Sequence, residues 1–279
     1  MPTIQTLQLL KNRATHAPGA EGKTPISFAG FGDPLLGKQG ASRGSRMTLR
    51  RTLSAKVQSG SRDRPKLGGM SARLKSLAGL PGTATELEGM RQALGASAGS
   101  LHLGARNTET SVKDSDLSGV RVLAFATHGL MSGELFTGAE AGLVFTPPKK
   151  ESVKDDGYLT ASEIMGLRLN TDWVILSACN TAAGDGTAGA TGLSGLARSF
   201  FFAGARNLLV SHWPVRDDVA EKITVEAIRL KRERPELSRP EALQLAMRKV
   251  RDDSSHDSPN DTWAHPNAWA PFSLVGDGG

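Results

Sequence analysis

The chain has 279 residues, 38% of them apolar, which is enough for one large α/β domain with its own core or for two smaller ones. Its single cysteine excludes an intramolecular disulfide and a cysteine-based zinc site, and fits a reducing compartment. The formal charge of +6 is local: residues 38–66 hold nine Lys/Arg and one Asp, a net of +8, which leaves the rest of the chain at −2.

That basic segment is rich in Ser and Gly and has no aromatic residue, so it reads as an exposed insertion or disordered loop, and nucleic acid is not expected as a partner. No apolar run approaches the ~20 residues of a membrane helix. In MPTIQTLQLLKNRATHAPGA the basic residues follow the brief apolar stretch, the reverse of a secretory signal. A soluble cytoplasmic protein without membrane contact is expected.

In chain order, residues 1–66 carry little regular pattern beyond a helix-like segment through Ile4, Leu7 and Leu10 and a strand-like run, ISFAGFG at 26–32. Between them PGAEGKT contains Gly-Lys-Thr, but a phosphate-binding loop needs glycine where Ala17 stands, and no helix pattern follows. From about residue 67 apolar strand-like runs alternate with helical patterns, which argues for βαβ units and a mostly parallel sheet. Capping boxes announce three helices: Thr83 with Glu86, Thr160 with Glu163, and Ser238 with Glu241. Leu193, Leu196, Ala197, Phe200 and Phe201 form one apolar helical face closed by Gly204, and a further helix starts at Asp217 or Asp218. The strand-like runs are RVLAFATHG (121–129), GLVFT (142–146), WVILSAC (173–179), RNLLVSHW (206–213) and PFSLVG (271–276). They are apolar on both sides, as strands covered by helices on both faces should be.

Two of these runs end in reactive side chains. RVLAFAT leads into His128-Gly129 and WVILSA into Cys179-Asn180. In open parallel sheets the functional crevice lies beyond the carboxyl ends of the strands, so adjacent parallel strands here would bring an imidazole and a thiol to one edge. Other motifs fail. GLSGL at 192–196 has Leu196 where a nucleophile elbow needs its second glycine, and His256 and His265 show no metal-ligand spacing, so no metal is expected.

The stretches FATHG, GLVFTPP, DGYLTASEIMGL, VILSACNTAAGD, GLSGLARSFFFAGARNLLVSHWPV and WAPFSLVGDGG resemble the CHAT-domain family of the caspase, gingipain and separase clan of cysteine peptidases. The likeness spans roughly residues 25–279 and is densest from 121 to 213; residues 1–24 then read as an N-terminal segment left by a truncated domain start. The resemblance implies an α/β fold, a caspase-like three-layer α/β/α sandwich with a mostly parallel central sheet. It also implies a Cys-His dyad, with His128 and Cys179 on the family's catalytic positions. The 51-residue separation between them is close to the ~50 of caspases. Further implications are an oxyanion hole from the backbone N–H groups of Gly129 and Cys179, no cofactor, and a protein or peptide substrate. A tetratricopeptide-repeat partner is expected on another polypeptide or in a lost N-terminal region, since no 34-residue helical repeat is present.

The chemistry asks for these residue types. A free cysteine with pKa about 8.5 is only a few per cent ionised at neutral pH, whereas an adjacent imidazole favours the thiolate and protonates the leaving amine. A group that orients His128 is not legible. Trp213, at the tip of RNLLVSHW, reads either as a wall of the substrate groove or as a packing residue. Asp217 reads either as a partner for a basic substrate side chain or as a helix cap. The function expected is a cysteine endopeptidase acting through a thioacyl-enzyme; the alternative is a catalytically inactive caspase-like scaffold that binds protein partners.

Overall fold

The computed structural model describes residues 26–37, 69–80, 82–177, 195–213, 215–253, 255 and 263–278. The opening helix-like segment, the basic stretch 38–66, Leu193 and His256 lie outside the described residues, as does Cys179.

The strands are β1 (Phe28–Pro34), β2 (Leu101–Gly104), β3 (Val122–Ala126), β4 (Gly129–Leu130), β5 (Gly142–Val144), β6 (Tyr158–Thr160), β7 (Trp173–Leu176), β8 (Asn207–Ser211) and β9 (Phe272–Gly276). The helices are α1 (Met70–Lys75), α2 (Gly82–Leu94), α3 (Glu109–Asp114), α4 (Ala161–Met165), α5 (Gly195–Ala203), α6 (Asp217–Glu233), α7 (Arg239–Arg251) and α8 (Pro266–Trp269). Among the described residues the central sheet has the order β2-β1-β3-β7-β8-β9. Its first five strands run parallel, and β9 closes the edge antiparallel to β8.

Side chains alternate across a strand, so each apolar run feeds two cores. On one face Phe31, Leu123, Phe125, Val174, Leu176, Leu208 and Val210 pack with Val112 of α3, Ile164 of α4 and Leu196, Ala197 and Phe200 of α5. On the other, Ala124, Ala126, Trp173, Ile175 and Leu209 pack with Leu87 and Met90 of α2, Val219, Ile223 and Ala227 of α6, and Leu243, Ala246 and Val250 of α7. The result is the expected α/β/α sandwich. Helix α2 lies close on the sheet because Gly32 has no side chain: a Cβ there would stand 2.6 Å from Leu87 Cδ1 and 2.8 Å from the Ala126 carbonyl oxygen.

At the opposite, N-terminal end of the strands the register is held by charge. The Asp172 carboxylate, just before β7, pairs with Arg121 just before β3 and with Arg206 just before β8, the latter at 2.9 Å. The Asn207 amide donates to the Asp172 carbonyl (3.1 Å).

Two sequence expectations change. The GLVFT strand does not join the central sheet; it is β5, the middle of a small antiparallel sheet β4-β5-β6. It is apolar on both sides because Leu143 enters the main core while Val144 packs with Leu130, Tyr158 and the α1 residues Met70 and Leu74. Thr83 is not a cap either. The helix begins at Gly82, and the Thr83 hydroxyl donates to the Leu80 carbonyl (2.6 Å) and accepts the Asp33 N–H (2.9 Å). The boxes Thr160/Glu163 and Ser238/Glu241 are present, on α4 and α7.

Gly204 ends α5 with φ +114, and a Cβ at this position would lie 2.1 Å from the Leu169 carbonyl oxygen. Gly204→Ala is therefore expected to cost about 2 kcal/mol or more, read as a lower urea midpoint at unchanged slope.

Glu109 of α3, 1% exposed, anchors the chain entering β6 by accepting the N–H groups of Asp156 and Gly157, each at 2.9 Å. Burial outweighs these donors and its ion pair with Lys113, and pushes its carboxyl up to about 7. A folded-state value above the ordinary 4.5 means that this group's contribution to stability is full below pH 4.5 and is lost as pH rises through about 7. In paired melts across that window, the stability of the wild type relative to Glu109→Gln should fall with rising pH.

Candidate active site

Parallel strands put their carboxyl ends on one edge, and β3 and β7 are immediate neighbours there. Each β7 residue lies 51 positions after its β3 partner, from Val122 opposite Trp173 to Phe125 opposite Leu176. His128 and Cys179 are separated in the sequence by the same 51 positions. His128 follows β3 by two residues; Ser177 follows β7 directly and is the last described residue before Cys179.

His128 sits where the chain passes from the central sheet into β4. The crossing is clamped to β5: the Val144 N–H donates to the His128 carbonyl (2.9 Å), and the Thr127 hydroxyl donates to the Val144 carbonyl. The ring is 2% exposed, and its Nε2 lies 2.7 Å from the carbonyl oxygen of Ala78, in the turn between α1 and α2. A carbonyl oxygen only accepts, so Nε2 carries the proton and Nδ1 is the basic nitrogen of the neutral ring. The sequence does not name this partner, because a main-chain acceptor leaves no side-chain signature. Gly129, the first residue of β4, is partly exposed beside the buried histidine.

The two lesser candidates reach the same edge in different ways. Trp213 follows β8 by two residues; its indole N–H donates to the Asn267 carbonyl of α8 (3.0 Å), and its ring is inclined against His212 with centroids 6.4 Å apart. Asp217 is the first residue of α6, with Arg216 as the N-cap residue. Its side chain lies against the first residue of α2, where a Cβ on Gly82 would meet Asp217 Oδ2 at 2.8 Å. Two helix N-termini thus converge on one carboxylate, a favourable arrangement for a negative charge.

Asp33, at the tip of β1, is the non-glycine residue with left-handed backbone among the described residues, with φ 51. Burial raises its carboxyl above the usual range.

A further acid at this edge was misread as a capping residue. Glu86 shares its helical face with Thr83, Leu87, Met90 and Leu94, all buried, and is itself 1% exposed. Its Oε1 accepts the hydroxyls of Ser177 (2.6 Å) and Thr224 of α6 (3.1 Å). The available sequence signal was its place one residue before Leu87 and four before Met90, on an otherwise core-facing stripe. Among the described residues no group of three or more His, Cys, Asp or Glu side chains is arranged for a metal ion, and no helix is long and apolar enough to cross a membrane.

Over 130 residues, 47% of the chain, the sequence is 35% identical to tetratricopeptide repeat protein 28 of Mus musculus. The match covers 5% of that much longer protein. The CHAT domain family model matches residues 6–277, so the chain belongs to the CHAT-domain family, whose members are related to caspase-like cysteine peptidases.

Proposed function

We propose that this chain is a cysteine endopeptidase in which Cys179 is the nucleophile and His128 the general acid and base. The observation that carries the reading is the parallel pairing of β3 with β7, at a register offset equal to the separation of the two residues. The fixed tautomer of His128 supports it, since Nδ1 is then the nitrogen that exchanges a proton.

In this reading the thiol of Cys179 yields its proton to His128, and the thiolate sulfur attacks the carbonyl carbon of a peptide bond. As the tetrahedral intermediate collapses, the C–N bond breaks and the imidazolium delivers its proton to the departing amine, leaving a thioester. Water, deprotonated by the same imidazole, then cleaves the C–S bond and releases the acid and the free thiol. The N–H groups of Gly129 and Cys179 stabilise the oxyanion, each such donor being worth roughly 3 to 4 kcal/mol in related chemistry. No cofactor enters any step. Trp213 and Asp217 flank the same edge and are proposed to bound the substrate groove. A tetratricopeptide-repeat element, on another polypeptide or elsewhere in a longer chain, is the proposed partner; the likeness to a protein named for such repeats supports it.

Cleavage of a proteome-derived peptide library tests the reading. Cys179→Ala should abolish cleavage at an unchanged melting temperature, and His128→Ala should lower kcat by about 10²–10⁴-fold. An electrophilic peptide ketone should label Cys179 faster than it labels a small free thiol. Equal activity of wild type and Cys179→Ala against the library would overturn the assignment, and recognition of partners that survive uncut would favour a binding scaffold.

A further inference from the structure

Glu86 does not take part in the proposed chemistry, yet it is an acid only 1% exposed. A carboxylate removed from water is costly unless its oxygens receive donors. At a position flanked by Leu87 and Met90 an aliphatic side chain would avoid that cost, so the acid calls for an explanation. Among the described residues, donors to it come from two other elements: Ser177 from the end of β7 and Thr224 from α6.

The two attachments are unequal. The Thr224 hydroxyl also lies 2.9 Å from the Ala220 carbonyl, so its one proton is divided between acceptors. The Ser177 hydroxyl, itself 2% exposed, meets the carboxylate at 2.6 Å, the short range of a charge-assisted bond. Helix α2 cannot drift from the sheet without stretching this bond, and the helix is seated tightly by the absent side chain at Gly32. Ser177 stands two residues before Cys179.

We propose that Glu86 is a positioning residue: by accepting the Ser177 hydroxyl it fixes the end of β7 from which the chain runs to Cys179, and so sets the reactivity of that thiol. The proposal rests on Cys179 being the nucleophile, but one of its tests does not. Because Cys179 is the only cysteine in the chain, its alkylation rate with iodoacetamide reports on its setting without any substrate.

Ser177→Ala and Glu86→Leu should each lower the alkylation rate, and kcat in the library assay, by about tenfold with little change in KM, as expected when a reacting group is misplaced by a fraction of an ångström. The double variant should fall no further than the lower single, because both remove one bond. Glu86→Gln, which keeps an acceptor oxygen, should recover most of the rate lost in Glu86→Leu. Thr224→Val should lower the melting temperature without lowering the alkylation rate.

Additive losses, unchanged alkylation in Ser177→Ala, or a loss in Glu86→Gln equal to that in Glu86→Leu would each overturn the proposal. If Cys179→Ala is as active as wild type, the peptidase reading fails, while the alkylation rates still decide whether Glu86 and Ser177 set the thiol.

Discussion

The parallel pairing of β3 with β7 is the constraint on which the rest of the molecule depends. It fixes which residues emerge side by side where the strands end, and a slip of one position would turn every side chain of β7 to the opposite core. The two faces of β7 are not interchangeable: Val174 and Leu176 fill one core, Trp173 and Ile175 the other. The ion pairs of Asp172 with Arg121 and Arg206 pin the same pairing at the far end. The ion pairs thus stand at one end of the strands, and His128 at the other.

Around that edge, helix starts and main-chain groups supply polarity beside the acids Asp33, Glu86 and Asp217. Helices α2 and α6 both begin there, with Asp217 against Gly82. The small sheet β4-β5-β6 braces the chain on either side of His128 through Val144, and Glu109 in turn secures the entry to β6. The histidine is therefore held from three directions: β3 behind it, β5 beside it and the Ala78 turn above its ring.

Much of this was legible in the sequence because strands buried on both faces are nearly uninterrupted apolar runs. VLAFA, WVIL and NLLVS are β3, β7 and β8, with His128 just beyond the tip of the first. GLVFT reads as a strand but not as a member of the small sheet, since an apolar run records that both sides are covered and not by what. The six-residue helices α1 and α3 and the two- and three-residue strands β4 and β6 are too short to establish a period. Thr83 and Glu86 matched a local capping pattern, but the helix starts at Gly82 and tertiary contacts claim both side chains: Asp33 and Leu80 take Thr83, Ser177 and Thr224 take Glu86.

The acceptor for His128 Nε2 belongs to the main chain of Ala78, and every residue type at that position carries the same oxygen. A survey of single substitutions would therefore pass over it, recording position 78 as tolerant of any side chain that fits. What the ring requires is the path of the polypeptide between α1 and α2. An insertion, a deletion or a binding event that displaces this short connection would alter the setting of the imidazole without any change to His128 itself.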